Sequence, residues 1–68
     1  MNYYITITDQ ETGLETVLTK PAAESAARFT ASRWKAVLEM ENLNVKAYKN
    51  GAEYRRLMKA QSNRRKKR

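Results

Sequence analysis

Cysteine and histidine are both absent from this chain of 68 residues. Without cysteine, the protein has no disulfide bond, no CxxC redox motif and no thiolate nucleophile. Without histidine as well, zinc lacks its usual nitrogen and sulfur ligands, and the serine–histidine and cysteine–histidine arrangements of nucleophilic catalysis cannot form. We therefore expect a binding protein that is not an enzyme and that uses no metal or other cofactor.

Long apolar runs are also missing. The longest purely apolar stretch is residues 36–38, whereas a membrane-spanning helix needs roughly 20 such residues. The N-terminal residues 1–4 lack the basic region and the apolar run of a signal peptide. We expect a cytoplasmic protein that makes no contact with membranes.

Acidic residues are missing from the last part of the chain. Residues 1–54 hold six cations and seven acids, whereas the whole chain has a net charge of +7. The excess lies in residues 55–68, which hold eight cations and no acid: Arg55, Arg56, Lys59, Arg64, Arg65, Lys66, Lys67 and Arg68. Such an asymmetry is typical of a polyanion contact or of a solvated tail.

The short length predicts a single domain with a small core. A domain of about 60 residues buries only about 60% of the surface that its unfolded chain exposes. Residues 60–68 carry charges that repel one another, so they predict a disordered basic tail after a compact domain at 1–59. Homodimerisation would add to so small a core, which makes a second copy of the chain one candidate partner.

Residues 2–8 and 14–19 alternate between apolar and polar side chains, which predicts two half-buried strands. Gly13 lies between them and can adopt the positive φ that closes a hairpin. Pro21 suits the first turn of a helix, and the alanine-rich segment after it predicts a helix over residues 21–34.

The segment after this helix has two interpretations. Alternation over 36–41, 44–49 and 52–57, with Asn50-Gly51 between the last two, favours three more strands that include a second hairpin. The alternative is a second helix that begins near Ala52, with Tyr54, Leu57, Met58 and Gln61 at helical spacing. We prefer the hairpin.

These elements together predict an α+β fold. It is a single small domain in the order ββαβββ, in which one helix packs on an antiparallel sheet of four to five strands and a basic C-terminal tail follows. The predicted inward side chains are Tyr3, Ile5, Ile7, Leu14, Leu18, Ala26, Phe29, Leu38, Met40, Val45 and Ala47.

The candidate binding residues are all cationic. On the predicted second hairpin, Lys46, Lys49 and Arg55 would be close neighbours and form a small patch. The remaining candidates follow along the chain: Arg56, Lys59, Arg64, Arg65, Lys66, Lys67 and Arg68. Such side chains attract phosphates, but the tail has no aromatic residues on which bases could stack.

The segment Val-Lys-Ala-Tyr-Lys-Asn-Gly at 45–51, within a very short chain of predicted order ββαβββ, resembles small accessory proteins encoded by bacteriophages. Over residues 3–57, length and element order are similar to those of some anti-CRISPR proteins that block type I surveillance complexes. The resemblance implies action without catalysis, by occupying a nucleic-acid channel or a partner surface in the cytoplasm of a bacterial host. It points to Lys46, Lys49, Arg55 and Arg56.

Three functional hypotheses follow. The first is a non-enzymatic module that contacts nucleic acid or a nucleoprotein complex through its basic C-terminal region. The second is a phage-encoded inhibitor that binds a host protein effector such as a CRISPR surveillance complex. The third is a small homodimeric structural or interaction protein joined through exposed strand edges.

Overall fold

The computed structural model describes the backbone of residues 1–66 and the side chains of residues 1–64. It confirms a small α+β fold with a four-stranded antiparallel sheet, but it contains two helices instead of one. In chain order the elements are β1 (Asn2–Thr8), β2 (Glu15–Val17), β3 (Ala22–Ala23), α1 (Glu24–Val37), β4 (Leu43–Tyr48) and α2 (Ala52–Lys66). Neither helix of this described part is long and apolar enough to cross a membrane.

Strand β1 is the centre of the sheet, and all the other strands pair with it. β4 lies along one edge of β1 over six residue pairs, from Asn2 opposite Tyr48 to Ile7 opposite Leu43. Because β4 covers almost the whole length of this edge of β1, β2 and β3 pair with the opposite edge.

β2 and β3 are two parts of one interrupted edge strand. Thr6 lies opposite Val17, whereas Tyr3 lies opposite Ala22, so the register shifts by two residues between the two parts. Pro21 lies in this interruption, where its missing N–H removes no ladder bond. The Thr19 hydroxyl fills part of the gap by accepting a hydrogen bond from the Ile5 N–H at 3.0 Å.

Both faces of the sheet are covered. Tyr4, Ile5 and Thr6 follow one another along β1 and are all fully buried, although successive strand residues point to opposite faces. Helix α1 covers the face that carries Ile5, since its residues line a common groove with Val45, the residue opposite Ile5. On the other face, Leu57 of α2 packs with Tyr4. A second helix was absent from the preferred sequence interpretation.

Helix α1 buries a different stripe from the predicted one. Ala27 is buried and Thr30 and Trp34 are half-buried, while Phe29 is 64% exposed. The stripe of Ala27, Thr30 and Trp34 therefore faces the sheet, in place of the predicted stripe of Ala26 and Phe29. Of the predicted inward set, Ile5 is buried and four residues are exposed instead, namely Leu14, Ala26, Phe29 and Leu38.

The predicted strand at 36–41 is wrong. Helix α1 continues to Val37, and the chain then reverses through backbone conformations with positive φ at Glu39 (54°) and Asn42 (64°). Left-handed conformations of this kind cannot continue a strand. The Trp34 carbonyl accepts hydrogen bonds from the N–H groups of Leu38 and Met40, which closes the end of the helix.

The predicted strand at 52–57 is also wrong, and the alternative helix from Ala52 is confirmed. The Asn50 side chain accepts a hydrogen bond from the Ala52 N–H at 3.1 Å, and Gly51 has a φ of 81°. Asn-Gly therefore starts a helix here instead of turning a hairpin. An asparagine oxygen satisfies one of the N–H groups that the first helical turn leaves unpaired.

Helix α2 continues beyond residue 59, where the sequence predicted the compact domain to end. The Gln61 amide explains this, because it accepts a hydrogen bond from the Val17 N–H at 2.8 Å and donates one to the Val17 carbonyl at 3.3 Å. Residues 60–66, predicted to be part of a disordered tail, are therefore helical. The prediction for residues 67 and 68 lies outside the described part of the chain.

Candidate nucleic-acid interface

Among the predicted binding cations whose side chains the structure describes, Lys46 is the most enclosed. Its ammonium group lies 3.0 Å from a carboxylate oxygen of Glu15 on β2 and 2.9 Å from one of Glu53 on α2, and its side chain is 29% exposed. Glu15 also accepts a hydrogen bond from the buried hydroxyl of Thr6. Lys46 therefore links the sheet to the start of α2, and its charge is neutralised within the fold.

The ion pairs of Lys46 with Glu15 and Glu53, called the clasp below, shift two pKa values in the directions expected of opposite charges in contact. The hydrogen bond to Glu53 raises the pKa of Lys46 against the opposing effect of burial, with a further contribution from Glu15. Hydrogen bonds from Lys46 and then from Arg56 lower the pKa of Glu53 below its ordinary value of 4.5. Both shifts stabilise the charged forms near neutral pH.

Acid is expected to weaken the clasp. Because the pKa of Glu53 is lower in the folded state than in the unfolded one, its contribution to stability is present above pH 4.5 and is lost as the pH falls through the folded-state pKa. Glu53→Gln is expected to lose less stability on acidification than the wild type does. Urea unfolding midpoints at neutral and acidic pH measure this difference.

Glu11→Gln is the matched control for this prediction, since Glu11 is exposed and makes no ion pair within the described part of the chain. It is expected to retain the acid sensitivity of the wild type. Equal acid sensitivity of the Glu53→Gln variant and the wild type would contradict the role assigned to the clasp.

The outer side of α2 carries the cations that remain available. Arg55 and Lys59 lie one turn apart and are exposed, whereas Tyr54, Leu57 and Gln61 face the sheet. No carboxylate of the described residues lies within 4.0 Å of Arg55 or Lys59. The same side continues with the exposed polar residues Ser62 and Asn63.

Arg56, Arg64 and Lys49 are the other predicted binding cations whose side chains the structure describes. Arg56 contacts Glu53 at 3.1 Å, yet its side chain is 65% exposed. Arg64 donates a hydrogen bond to the Thr16 hydroxyl in the middle of β2 at 3.3 Å. Lys49 is exposed just after β4. The backbone of Arg65 and Lys66 belongs to α2, and Lys67 and Arg68 lie outside the described residues.

The predicted patch of Lys46, Lys49 and Arg55 required residues 44–49 and 52–57 to pair as two strands. This strand pairing is absent, because residues 52–57 form a helix. Sequence reasoning also missed Glu15 and Glu53 as the partners of Lys46. Glu15 is 31 residues away from Lys46 along the chain, so no local spacing reveals it. The pair of Glu53 and Arg56 has helical i,i+3 spacing and follows from the helical alternative.

Comparison with protein-family models, with curated proteins and with solved structures finds no match. The functional argument therefore rests on the residues of the chain itself. The resemblance given above depended on the order ββαβββ, and the observed order βββαβα differs from it.

Proposed function

We propose that this protein binds nucleic acid through the outer side of α2, with the basic residues that follow adding to the contact. The distribution of charge on α2 carries the proposal. Its residues 52–66 include six cations and a single acid, Glu53, and that acid is already occupied by Lys46 and Arg56. No free carboxylate of α2 therefore competes with phosphates for its cations.

The dimensions of α2 suit a groove of duplex nucleic acid. A helix with its side chains is about 10–12 Å across, and the major groove of B-form DNA is about 12 Å wide. Arg55 and Lys59 lie on the side that points away from the sheet, so a duplex can approach them without disturbing the core. Contacts of this kind position a protein on phosphates and release counterions.

The packing of α2 holds these cations in a fixed arrangement. Lys46 anchors the first turn through Glu53, Leu57 is buried in the middle, and Gln61 is bonded to the edge of β2. Less side-chain and backbone freedom is then lost when phosphates bind. The roles also divide clearly, since Lys46 supports the helix while Arg55 and Lys59 contact the ligand.

The test compares two double variants with the same loss of charge. Arg55→Gln with Lys59→Gln removes the proposed contacts, whereas Lys20→Gln with Arg33→Gln removes two exposed cations elsewhere. Fluorescence anisotropy with duplex DNA and RNA over a salt series gives the affinity and its salt dependence. For the first variant we expect roughly tenfold weaker binding and a log–log salt slope reduced by about 1.8, since each phosphate contact contributes about 0.9.

The control variant is expected to bind with nearly the wild-type slope. Equal losses in the two variants would mean that only overall charge matters, which would contradict a site on α2. Absence of wild-type binding to both nucleic acids at low salt would overturn the proposed function itself. A chain that ends at Arg64 separates the contribution of the last four residues from that of the helix.

A further inference from the structure

The two edges of the sheet differ in how well they are closed. At β2, the N–H and carbonyl of Val17 point away from β1, and the Gln61 amide binds both of them. At β4, the Thr8 N–H donates a hydrogen bond to the Asn42 carbonyl. Hydrogen-bonded pairs alternate with non-bonded pairs along an antiparallel ladder. In this register every second residue from Asn42 bonds to β1 through its main chain, namely Asn44, Lys46 and Tyr48. Leu43, Val45 and Ala47 therefore direct their main-chain N–H and carbonyl groups to the open edge.

No other described segment takes up these open groups. An edge of this kind is a template for pairing with another strand. Beside it, on the face that carries α1, a groove lies between the helix and the strand, lined by Arg28, Ala31, Ser32, Lys35, Leu43 and Val45. A second chain at the edge would close this groove.

We propose that a second copy of this chain pairs antiparallel along β4, with a two-fold axis at Val45. In this register Val45 lies opposite the second copy's Val45, and Leu43 lies opposite the second copy's Ala47. The open main-chain groups of Leu43, Val45 and Ala47 in one copy thus meet those of the same three residues in the other. The two sheets join into one continuous sheet. An edge strand that is self-complementary in this way fits a symmetric, isologous interface.

A second copy also answers a shortage of buried apolar surface. Only five apolar side chains of the described residues are buried, namely Tyr4, Ile5, Val17, Ala27 and Leu57. Small domains commonly add to such a core by oligomerisation. Pairing at β4 would cover Val45 and Leu43, which are half-buried in the single chain.

The first experiment measures the mass of the full chain by sedimentation over a range of concentrations. Val45→Pro removes an N–H that points to the open edge and takes no part in pairing with β1, so it is expected to give monomers at every concentration tested. Val45→Thr keeps that N–H and is the matched control, expected to dimerise. A wild type that is monomeric throughout would overturn the proposal.

A charge exchange at Val45 keeps the proposal testable if Val45→Pro does not fold. Val45→Lys and Val45→Glu each place like charges opposite one another across the two-fold axis, so each is expected to weaken self-association by on the order of tenfold. In an equimolar mixture of the two variants, the mixed dimer has opposite charges at this position, so dimers are expected to return. A mixture no more dimeric than its components would contradict the proposed register.

Discussion

Replacing Gly51 by alanine is expected to remove about 3 kcal/mol of the free energy of unfolding, most of what a domain of this size has. Gly51 has a φ of 81°, which costs an alanine roughly 1–2 kcal/mol. The added Cβ would also lie 2.7 Å from the Tyr48 hydroxyl, 2.7 Å from Nη1 of Arg55 and 3.0 Å from the Tyr48 ring carbon Cζ. That ring packs edge-on against Tyr4 and Tyr54, so it cannot move aside without disturbing the core. Urea unfolding measures the loss.

Gly13→Ala is the matched control. Its φ of 75° is nearly the same, but nothing lies within 4 Å of the added Cβ. It is expected to lose only the conformational part, roughly 1–2 kcal/mol. The difference between the two variants reports the contacts of the added Cβ with Tyr48 and Arg55, and equal losses would contradict the close packing around Gly51.

Leu57→Ala is expected to cost about 3 kcal/mol, because Leu57 is the buried residue of α2 and packs against Tyr4 and Val17. Met58 is the next residue along the same helix and is 40% exposed, so Met58→Ala should cost less than about 1 kcal/mol. Helix propensity is nearly equal in the two changes, which leaves burial as the cause of any difference. Chemical unfolding followed by circular dichroism measures both.

The Leu57→Ala variant also connects stability with the proposed function. If α2 is held in place mainly by Leu57, loss of that side chain loosens the arrangement of Arg55 and Lys59. Nucleic-acid affinity should then fall at a temperature where the sheet is still folded. Unchanged affinity under those conditions would mean that the fixed position of α2 is unimportant for binding.

The strands β1 and β2 and the presence of helix α1 were predictable because their signals are local, whereas residues 21–23, predicted to be the start of the helix, hold the short strand β3 instead. The alternation over residues 2–8 and the alanines before Trp34 each specify one element through neighbouring residues. Residues 52–57 fit both a strand and a helix by spacing alone. The contact that supports the helix is between Gln61 and Val17, which are 44 residues apart in the chain. No pattern within a short window contains that information.

The rotation of α1 shows the same limit. The sequence offers two adjacent stripes on this helix, one through Ala26 and Phe29 and one through Ala27 and Trp34. Spacing does not decide which of them faces the sheet. In the structure the stripe through Ala27 and Trp34 faces the sheet, with Ala27 buried and Trp34 half-buried. Phe29 is left exposed as a result.

The candidate site was predictable in composition but not in the roles of its members. Counting charges along the chain assigns the excess of cations to residues 55–68. It treats Lys46 and Arg55 as equals, although Lys46 is held between two carboxylates and Arg55 meets none among the described residues. That distinction depends on Glu15, which only the folded sheet brings to Lys46.

The aromatic side chains give the two faces of the sheet separate optical signals. Trp34, the single tryptophan of the chain, lies on α1 and is half-buried. On the opposite face, Tyr4, Tyr48 and Tyr54 form an edge-to-face cluster with ring centroids 5.0–6.4 Å apart. Tryptophan emission therefore reports on the surroundings of α1, whereas three of the four tyrosines lie in the cluster that α2 completes.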